Sequence, residues 1–173
     1  PLLTMRLLAE EQKLGTLELL LTSPVREWEV VLGKYIASLI MLLAILAATS
    51  YYVILMYLFG TPDSGPVLSA YIGLVLYGAT ALSIGLLGSS LSSNQIVAAV
   101  VGTAVLLFFS FINRVSTVIE GAPASFLDAL SMESRLADFT RGIIDTSHVI
   151  YFVSLTAIFV FITIRSLETR RWR

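Results

Sequence analysis

Charged residues are distributed very unevenly along the chain. Residues 64–113 contain no Asp, Glu, Lys or Arg. A lipid bilayer strongly penalises a charge at its centre, whereas long helices in water-soluble domains carry charges on their outer faces. A helix that crosses a bilayer needs about 20 apolar residues, so this stretch has room for two spans and the turn between them. Two further charge-free windows, residues 35–62 and 146–164, each have room for one span.

Turn-forming residues set the expected ends of the spans. A run of Gly, Pro and polar residues at 60–66 predicts a short turn after the first span, and residues 89–95 predict a polar, uncharged turn after the second. Asp145 or Thr146 is expected to cap the last span. The four predicted spans are residues 35–59, 67–87, 96–112 and 149–164.

The residues before the first span predict three short helical pieces. Residues 1–13 have the amphipathic pattern of a helix, which Gly15 should end. A second, very short helix is expected from Thr16, which can serve as its N-cap, to about Thr22. A third helix starts at Pro24 and runs into the first span, since apolar residues recur there at helical spacing.

The composition agrees with a membrane protein. Hydrophobic residues make up 57% of the chain and charged residues 13%, which is about half the charged fraction of a typical water-soluble domain. A soluble helical bundle would need polar outer faces, and the charge-free windows lack them. We therefore predict an all-α integral membrane fold with four transmembrane helices and a cytoplasmic region before them.

The chain offers little for catalysis or for binding a cofactor. It contains no cysteine and a single histidine, His148, which argues against metal sites built on these residues. The nucleotide-binding pattern Gly-x-x-x-x-Gly-Lys-Ser/Thr is absent, because Gly33-Lys34 is followed by Tyr35. No protease or lipase motif occurs, and no ionisable residue lies mid-span to serve a proton relay. We expect no enzymatic activity, no cofactor and no nucleic-acid partner.

Basic residues set the expected orientation. Four spans place both termini on the same side of the membrane, and this side is the richer in Lys and Arg. Its basic residues are Arg6, Lys13, Arg26, Lys34, Arg165, Arg170, Arg171 and Arg173. Those of the opposite side are Arg114, Arg135 and Arg141. Since Lys and Arg near span ends favour the cytoplasmic side, we expect both termini in the cytoplasm.

The segment between the third and fourth spans, residues 113–147, is then expected to lie outside. Its pattern predicts helical pieces at 126–130 and 134–141, the second of them ended by Gly142. We expect these pieces to fold back onto the outer membrane face. The sequence leaves open whether they cap the exit of a pathway or form a purely structural lid.

The segment from Glu11 to Pro24 is the most informative local pattern. Gly15 and Pro24 bracket a short, stiff helix that carries the acid Glu18 and an apolar ridge of leucines. Such a helix can dock into a groove on a cytoplasmic partner, or it can rest its leucines on lipid. The residues alone favour the two interpretations equally.

This segment resembles the intracellular loop of type-2 ABC transporter permeases. The matching residues are, in order, Glu11, Gly15, Thr16, Glu18, Leu20, Ser23, Pro24 and Val25. The likeness continues at residues 139–145 and 165–172. It is greatest to the gliding-motility-associated permeases and looser to the nitrous-oxide-reductase maturation permeases. Permeases of this type have six spans, so the resemblance implies that this chain is the C-terminal part and lacks the first two.

The resemblance also implies partners. It implies a dimer of permease subunits, identical or related, bound to two cytoplasmic ATPase subunits that hold ATP and Mg²⁺. The loop would contain a coupling helix that fits a cleft of the ATPase, with Glu18 meeting a basic ATPase residue. The implied coupling positions are Glu11, Gly15, Thr16, Glu18, Leu20 and Pro24.

Small residues recur at four-residue spacing in the second and third spans. This spacing places them on one helix face and permits close packing, either within the subunit or across a dimer. The candidate packing residues are Ala81, Gly85, Ser89, Ala98 and Gly102. Hydroxyl-bearing residues in the spans, such as Thr49 and Thr80, could line a polar route or bond to the backbone of their own helix.

These observations predict four regions and one main function. The regions are the cytoplasmic coupling region 1–34, three spans within 35–112, the external helical segment 113–147, and the last span with a basic tail, 148–173. The expected function is that of a permease subunit of an ATP-driven exporter in the bacterial inner membrane. A membrane scaffold that anchors a cytoplasmic complex, and a small channel, remain open as alternatives.

Overall fold

Most of the described residues lie in α-helices. The computed structural model describes residues 2–16, 26–116 and 127–171. Across these ranges there is no β-strand. The helices are α1 (Met5–Leu14), α2 (Glu27–Phe59), α3 (Ser64–Leu91), α4 (Gln95–Ser116), α5 (Met132–Thr140) and α6 (Thr146–Arg171).

Four of these helices are long and apolar enough to cross a membrane. The candidate spans are Glu27–Phe59, Ser64–Leu91, Gln95–Arg114 and Thr146–Thr169. The predicted all-α membrane fold with four spans is therefore confirmed. Helices α3, α4 and α6 extend beyond the predicted spans at both ends, because polar residues continue the helix after the apolar stretch stops. Helix α2 starts before its predicted span and ends at Phe59, as predicted. Helix α2 passes through residues 34 and 35 without a break.

The turns on either side of α3 are shorter than predicted. Helix α3 begins at Ser64, inside the predicted turn 60–66, and the Oδ1 atom of Asp63 accepts a hydrogen bond from the Gly65 N–H at 3.1 Å. Pro66 is tolerated because its position in the first helical turn needs no N–H donor. At the other end α3 continues to Leu91, so the predicted turn at 89–95 was wrong in its first half.

Side-chain caps define the starts of α5 and α6. The Ser131 hydroxyl accepts a hydrogen bond from the Ser134 N–H, so α5 begins at Met132, ahead of the predicted residue 134. The Oδ1 atom of Asp145 accepts a hydrogen bond from the Ser147 N–H at 2.8 Å. This bond and one from the Ser147 hydroxyl hold the pKa of Asp145 below its usual value of 3.8, because both stabilise the ionised carboxylate.

The described residues form two compact units. The first unit comprises Pro1–Leu39, Ala79–Leu106 and Val153–Arg173, and the second comprises Ile40–Gly78 and Leu107–Phe152. The core of the first unit joins α1 to the three spans α2, α3 and α6. Its buried residues are Leu8, Val31, Leu86, Val160 and Leu167.

A glycine allows α3 and α4 to approach closely in the first unit. A Cβ atom at Gly88 would lie 2.8 Å from the carbonyl oxygen of Ala98 and 2.9 Å from Cα of Gly102. Both neighbours are backbone atoms, which cannot rotate away. Position 88 therefore requires glycine, as is common where membrane helices touch.

In the second unit, α5 packs directly on two spans. A Cβ atom at Gly73 of α3 would lie 2.6 Å from Cβ of Phe139, which is fully buried. The Phe139 ring also lies 6.4 Å, between centroids, from the ring of Phe152 on α6. The part of this segment that forms α5 thus makes a tight contact with α3 and α6 within its own unit. The expectation that the segment folds back onto the outer membrane face stays a prediction.

Substituting Gly88 by Ala should destabilise the protein. We expect a loss of about 1–3 kcal/mol, because the added methyl group meets backbone that can move only together with a whole helix. The measurement is the thermal unfolding midpoint of the purified protein in detergent. Gly33→Ala is the control, because a Cβ atom there meets no atom within 4 Å. Equal midpoints for the two variants would contradict the close approach of α3 and α4.

Removing the cap of α6 should have a pH-dependent effect. Because the folded-state pKa of Asp145 is depressed, its stabilisation is present above the usual carboxyl pKa and is lost as the pH falls through the lower folded-state value. Asp145→Ala should therefore lower the unfolding midpoint at neutral pH and make little difference in strong acid. A difference from the natural protein that stayed constant with pH would count against the capping role.

Candidate functional site

Helix α1 includes the first residues of the predicted coupling segment, from Glu11 to Leu14. Gly15 adopts a left-handed conformation with φ 71°, and its N–H donates to the carbonyl oxygen of Gln12. The Thr16 hydroxyl donates to the carbonyl oxygen of Glu11 at 3.3 Å. Both contacts close the C-terminal turn of α1. The predicted coupling residues Glu18, Leu20 and Pro24 lie outside the described residues.

Helix α2 begins directly after that segment. The backbone N–H of Arg26 donates to Oε2 of Glu29 at 3.0 Å, which fixes the first turn of α2. Glu27 and Glu29 place negative charge at the helix N-terminus, where the helix dipole favours it. Residues 17–25 thus connect two helix ends that are each closed by their own hydrogen bonds.

An ion pair ties these two helices together. Nζ of Lys34 on α2 lies 2.7 Å from Oε1 of Glu11 on α1, and both side chains are largely buried, with 19% and 26% of their surface exposed. The resemblance assigned Glu11 to a contact with a partner subunit. In the structure its carboxylate instead faces α2, and Lys34 is a residue that the sequence patterns did not single out.

Ser89 joins α1 to α3 through backbone groups. Its Oγ atom accepts hydrogen bonds from the N–H groups of Leu8 and Ala9, each at 3.0 Å. The same hydroxyl donates to the carbonyl oxygen of Met5 at 2.9 Å. Ser89, Leu8 and Ala9 are fully buried. We call these three bonds the α1–α3 contact.

A fourth hydrogen bond lies beside the α1–α3 contact. Nε2 of Gln12 donates to the carbonyl oxygen of Ser90 at 3.0 Å. Sequence analysis had grouped Ser89 with small packing residues, which accounts for its size and burial but misses its hydroxyl. A serine near the end of a predicted span was the available signal, but it gave no indication of what the hydroxyl binds.

The remaining predicted packing residues lie in the first unit. Ala98 and Gly102 of α4 face Gly88 of α3, at the close approach described above. Gly85 is buried, and Ala81 is half-buried. The four-residue spacing counted from Ala81 passed over Gly88, which makes the closest of these contacts.

Several hydroxyl groups inside the spans form hydrogen bonds within the protein, whereas the buried hydroxyl of Ser69 has no partner among the described residues. Thr49, Ser50 and Ser83 each donate to the carbonyl oxygen three residues earlier in their own helix. Thr80 of α3 and Thr156 of α6 share a hydrogen bond of 3.0 Å. Tyr77 and Ser110 share one of 2.9 Å. These hydroxyls satisfy the backbone and join neighbouring helices, which is their usual use in membrane proteins.

Within the ranges that the structure describes, no group of three or more His, Cys, Asp or Glu residues could hold a metal ion. The contacts described above link helices: one ion pair joins α1 to α2, and four hydrogen bonds join α1 to α3.

Reversing one charge of the ion pair should weaken the fold, and reversing both should restore it. Lys34→Glu places two carboxylates side by side in a largely buried position, and we expect a loss on the order of 1 kcal/mol or more. Adding Glu11→Lys to that variant restores opposite charges. The measurement is the unfolding midpoint of the single and double variants. A double variant no more stable than Lys34→Glu would show that the pair contributes nothing.

Comparisons with known proteins agree with this architecture. A family model described as "ABC-2 family transporter protein" matches residues 1–162. A probable multidrug ABC transporter permease, YbhR, of Escherichia coli K12 is 37% identical over 87 residues, which cover 50% of this chain and 23% of that relative. Its counterpart in Escherichia coli O157:H7 gives the same figures. No solved structure matches the chain.

The length of the family match decides the assignment. The match covers nearly the whole chain, including all of α1 to α5 and most of α6, whereas the aligned part spans about a quarter of the curated relatives. The four apolar helices show a protein that crosses the membrane several times. The chain belongs to the ABC-2 family of transporter proteins, as a multi-pass membrane permease.

Proposed function

We propose that the chain is the membrane-spanning subunit of an ATP-driven exporter, and that residues 17–25 receive the force from a separate ATPase subunit. One observation carries the proposal. The two helices that border this segment are tied to each other by the pair between Glu11 and Lys34, and α1 is also bonded to α3. A partner that displaces the segment would therefore move three helices.

The spans are built to pass such a displacement onward. Helix α2 has 33 residues and α3 has 28, and both run without interruption. A continuous α-helix is stiff over this length, so a tilt imposed at one end reaches the other. Because the chain lacks a nucleotide-binding pattern, ATP and Mg²⁺ would be held by the ATPase.

The proposal includes an assembly and a location. Two permease subunits, identical or related, would pair across the membrane and bind two ATPase subunits. The distribution of Lys and Arg supports a bacterial inner membrane with both termini of the chain in the cytoplasm. Within the family, the residues Glu11, Gly15 and Thr16 support a place near the gliding-motility-associated permeases.

Charge reversal at Glu18 tests the proposed docking. The permease is co-expressed with the candidate ATPase subunit, and their association and ATP hydrolysis are measured after purification. We expect Glu18→Lys to weaken association about tenfold or more and to lower ATP hydrolysis by the complex, because like charges would then face each other. If the chain is only a scaffold, Glu18→Lys should also weaken association, but ATP should cause no change in the spans of the natural protein.

Asp128→Lys is the matched control for Glu18→Lys. It makes the same charge change at an exposed residue of the second unit, far along the chain from the coupling segment. Association and ATP hydrolysis should be unaffected by it. If Glu18→Lys behaved like Asp128→Lys in both measurements, the proposed function of the segment would be wrong.

A further inference from the structure

We infer that Ser89 is a positioning residue that transmits movement of α1 to α3. The inference rests on the proposed function, in which the ATPase displaces the segment after α1. It adds a specific joint: the hydroxyl of one buried serine, bonded to the backbone of another helix. Nothing in the loop motif points to this residue, which lies more than 60 positions further along the chain.

The geometry of the α1–α3 contact suits this role. A single hydroxyl makes three hydrogen bonds of 2.9–3.0 Å to Met5, Leu8 and Ala9. All of its partners are backbone groups, so the contact fixes the helix itself and does not depend on flexible side chains. Breaking the contact would leave the buried Ser89 hydroxyl without its partners on α1, which makes sliding between the two helices unfavourable.

The next residue toward the middle of α3 extends the contact to α4. At Gly88 the backbone of α3 touches the backbone of α4 at Ala98 and Gly102. A displacement of α1 that pulls on Ser89 is thereby applied one residue from the closest point between α3 and α4. The contact at Lys34 acts on α2 in parallel. Ser89 is thus placed so that one displacement of α1 can reach several helices of the first unit.

Ser90 offers a matched control. It is equally buried, and its hydroxyl donates at 2.8 Å to the carbonyl oxygen of Leu87, in its own helix. Its backbone carbonyl, which accepts the bond from Gln12, remains in Ser90→Ala. Ser89→Ala and Ser90→Ala therefore remove the same atom from adjacent buried positions, and the first alone breaks a bond to α1.

The experiment follows the response of α3 to nucleotide in the assembled complex. The natural chain has no cysteine, so Leu91→Cys, at the half-exposed end of α3, gives a single labelling site. An environment-sensitive dye on this cysteine reports movement when Mg²⁺-ATP and vanadate are added. We expect Ser89→Ala to reduce the signal change about tenfold, whereas Ser90→Ala retains it. In both variants, association with the ATPase and the rate of ATP hydrolysis should stay within about twofold of the values for the parent complex.

A second measurement reports the seating of α1 directly. Ala9→Cys places a thiol at a fully buried position of α1 whose N–H bonds to Ser89. Its reaction rate with a soluble maleimide should rise about tenfold in the Ser89→Ala background and stay unchanged with Ser90→Ala.

Each other outcome overturns the inference. An ATP-dependent signal that survives Ser89→Ala, or that is absent from the parent complex, would show that α3 does not follow α1 through this contact. If Ser89→Ala no longer assembled with the ATPase whereas Ser90→Ala did, the role of Ser89 would be purely structural. The Glu18→Lys experiment is independent of these results. If that variant has no effect, the proposed function fails, whereas a Ser89→Ala variant indistinguishable from Ser90→Ala removes only the inference.

Discussion

The absence of water inside a bilayer is the constraint on which the rest of this structure depends. A peptide group there must find its hydrogen-bond partner within the protein, so a spanning segment adopts a continuous helix. The four long helices follow from this requirement, and so does the behaviour of the polar side chains between them. Thr80 and Thr156 bond to each other, and Ser83 bonds to its own helix. Pairs such as Thr80 with Thr156 and Tyr77 with Ser110 thus join neighbouring spans.

The same constraint explains why the number and type of elements could be predicted from the sequence. A stretch without charges, followed by a cluster of Gly, Pro and Asp, leaves few alternatives to a helix and a turn. The ends were harder to place, because Ser64 and Pro66 are poor helix residues in general but suit a first turn capped by Asp63. Ser89 was placed in a turn because it is polar, although a buried partner on α1 satisfies its hydroxyl.

The residues of the candidate site also differ in how well the sequence predicts them. Its location before the first span was visible in a local motif with glycine, acid and proline at fixed spacing. The residues that join this region to the spans were not visible, because Lys34 and Ser89 acquire their roles only when distant parts of the chain meet. A hydrogen bond between residues about eighty positions apart leaves no periodicity in a single sequence. The family match gave the class of protein, and only the structure gave these connections.

The α1–α3 contact has a consequence for how the chain can diverge. Main-chain N–H and C=O groups are chemically alike at nearly every residue. A hydroxyl that binds them therefore imposes little on the identity of the side chains at positions 5, 8 and 9. Proline alone is excluded at positions 8 and 9, because it has no N–H to donate. The exposed face of α1 can accumulate substitutions while the attachment of α1 to α3 persists. A chain of this design can therefore change the exposed surface of α1 during evolution without rebuilding its transmembrane helices.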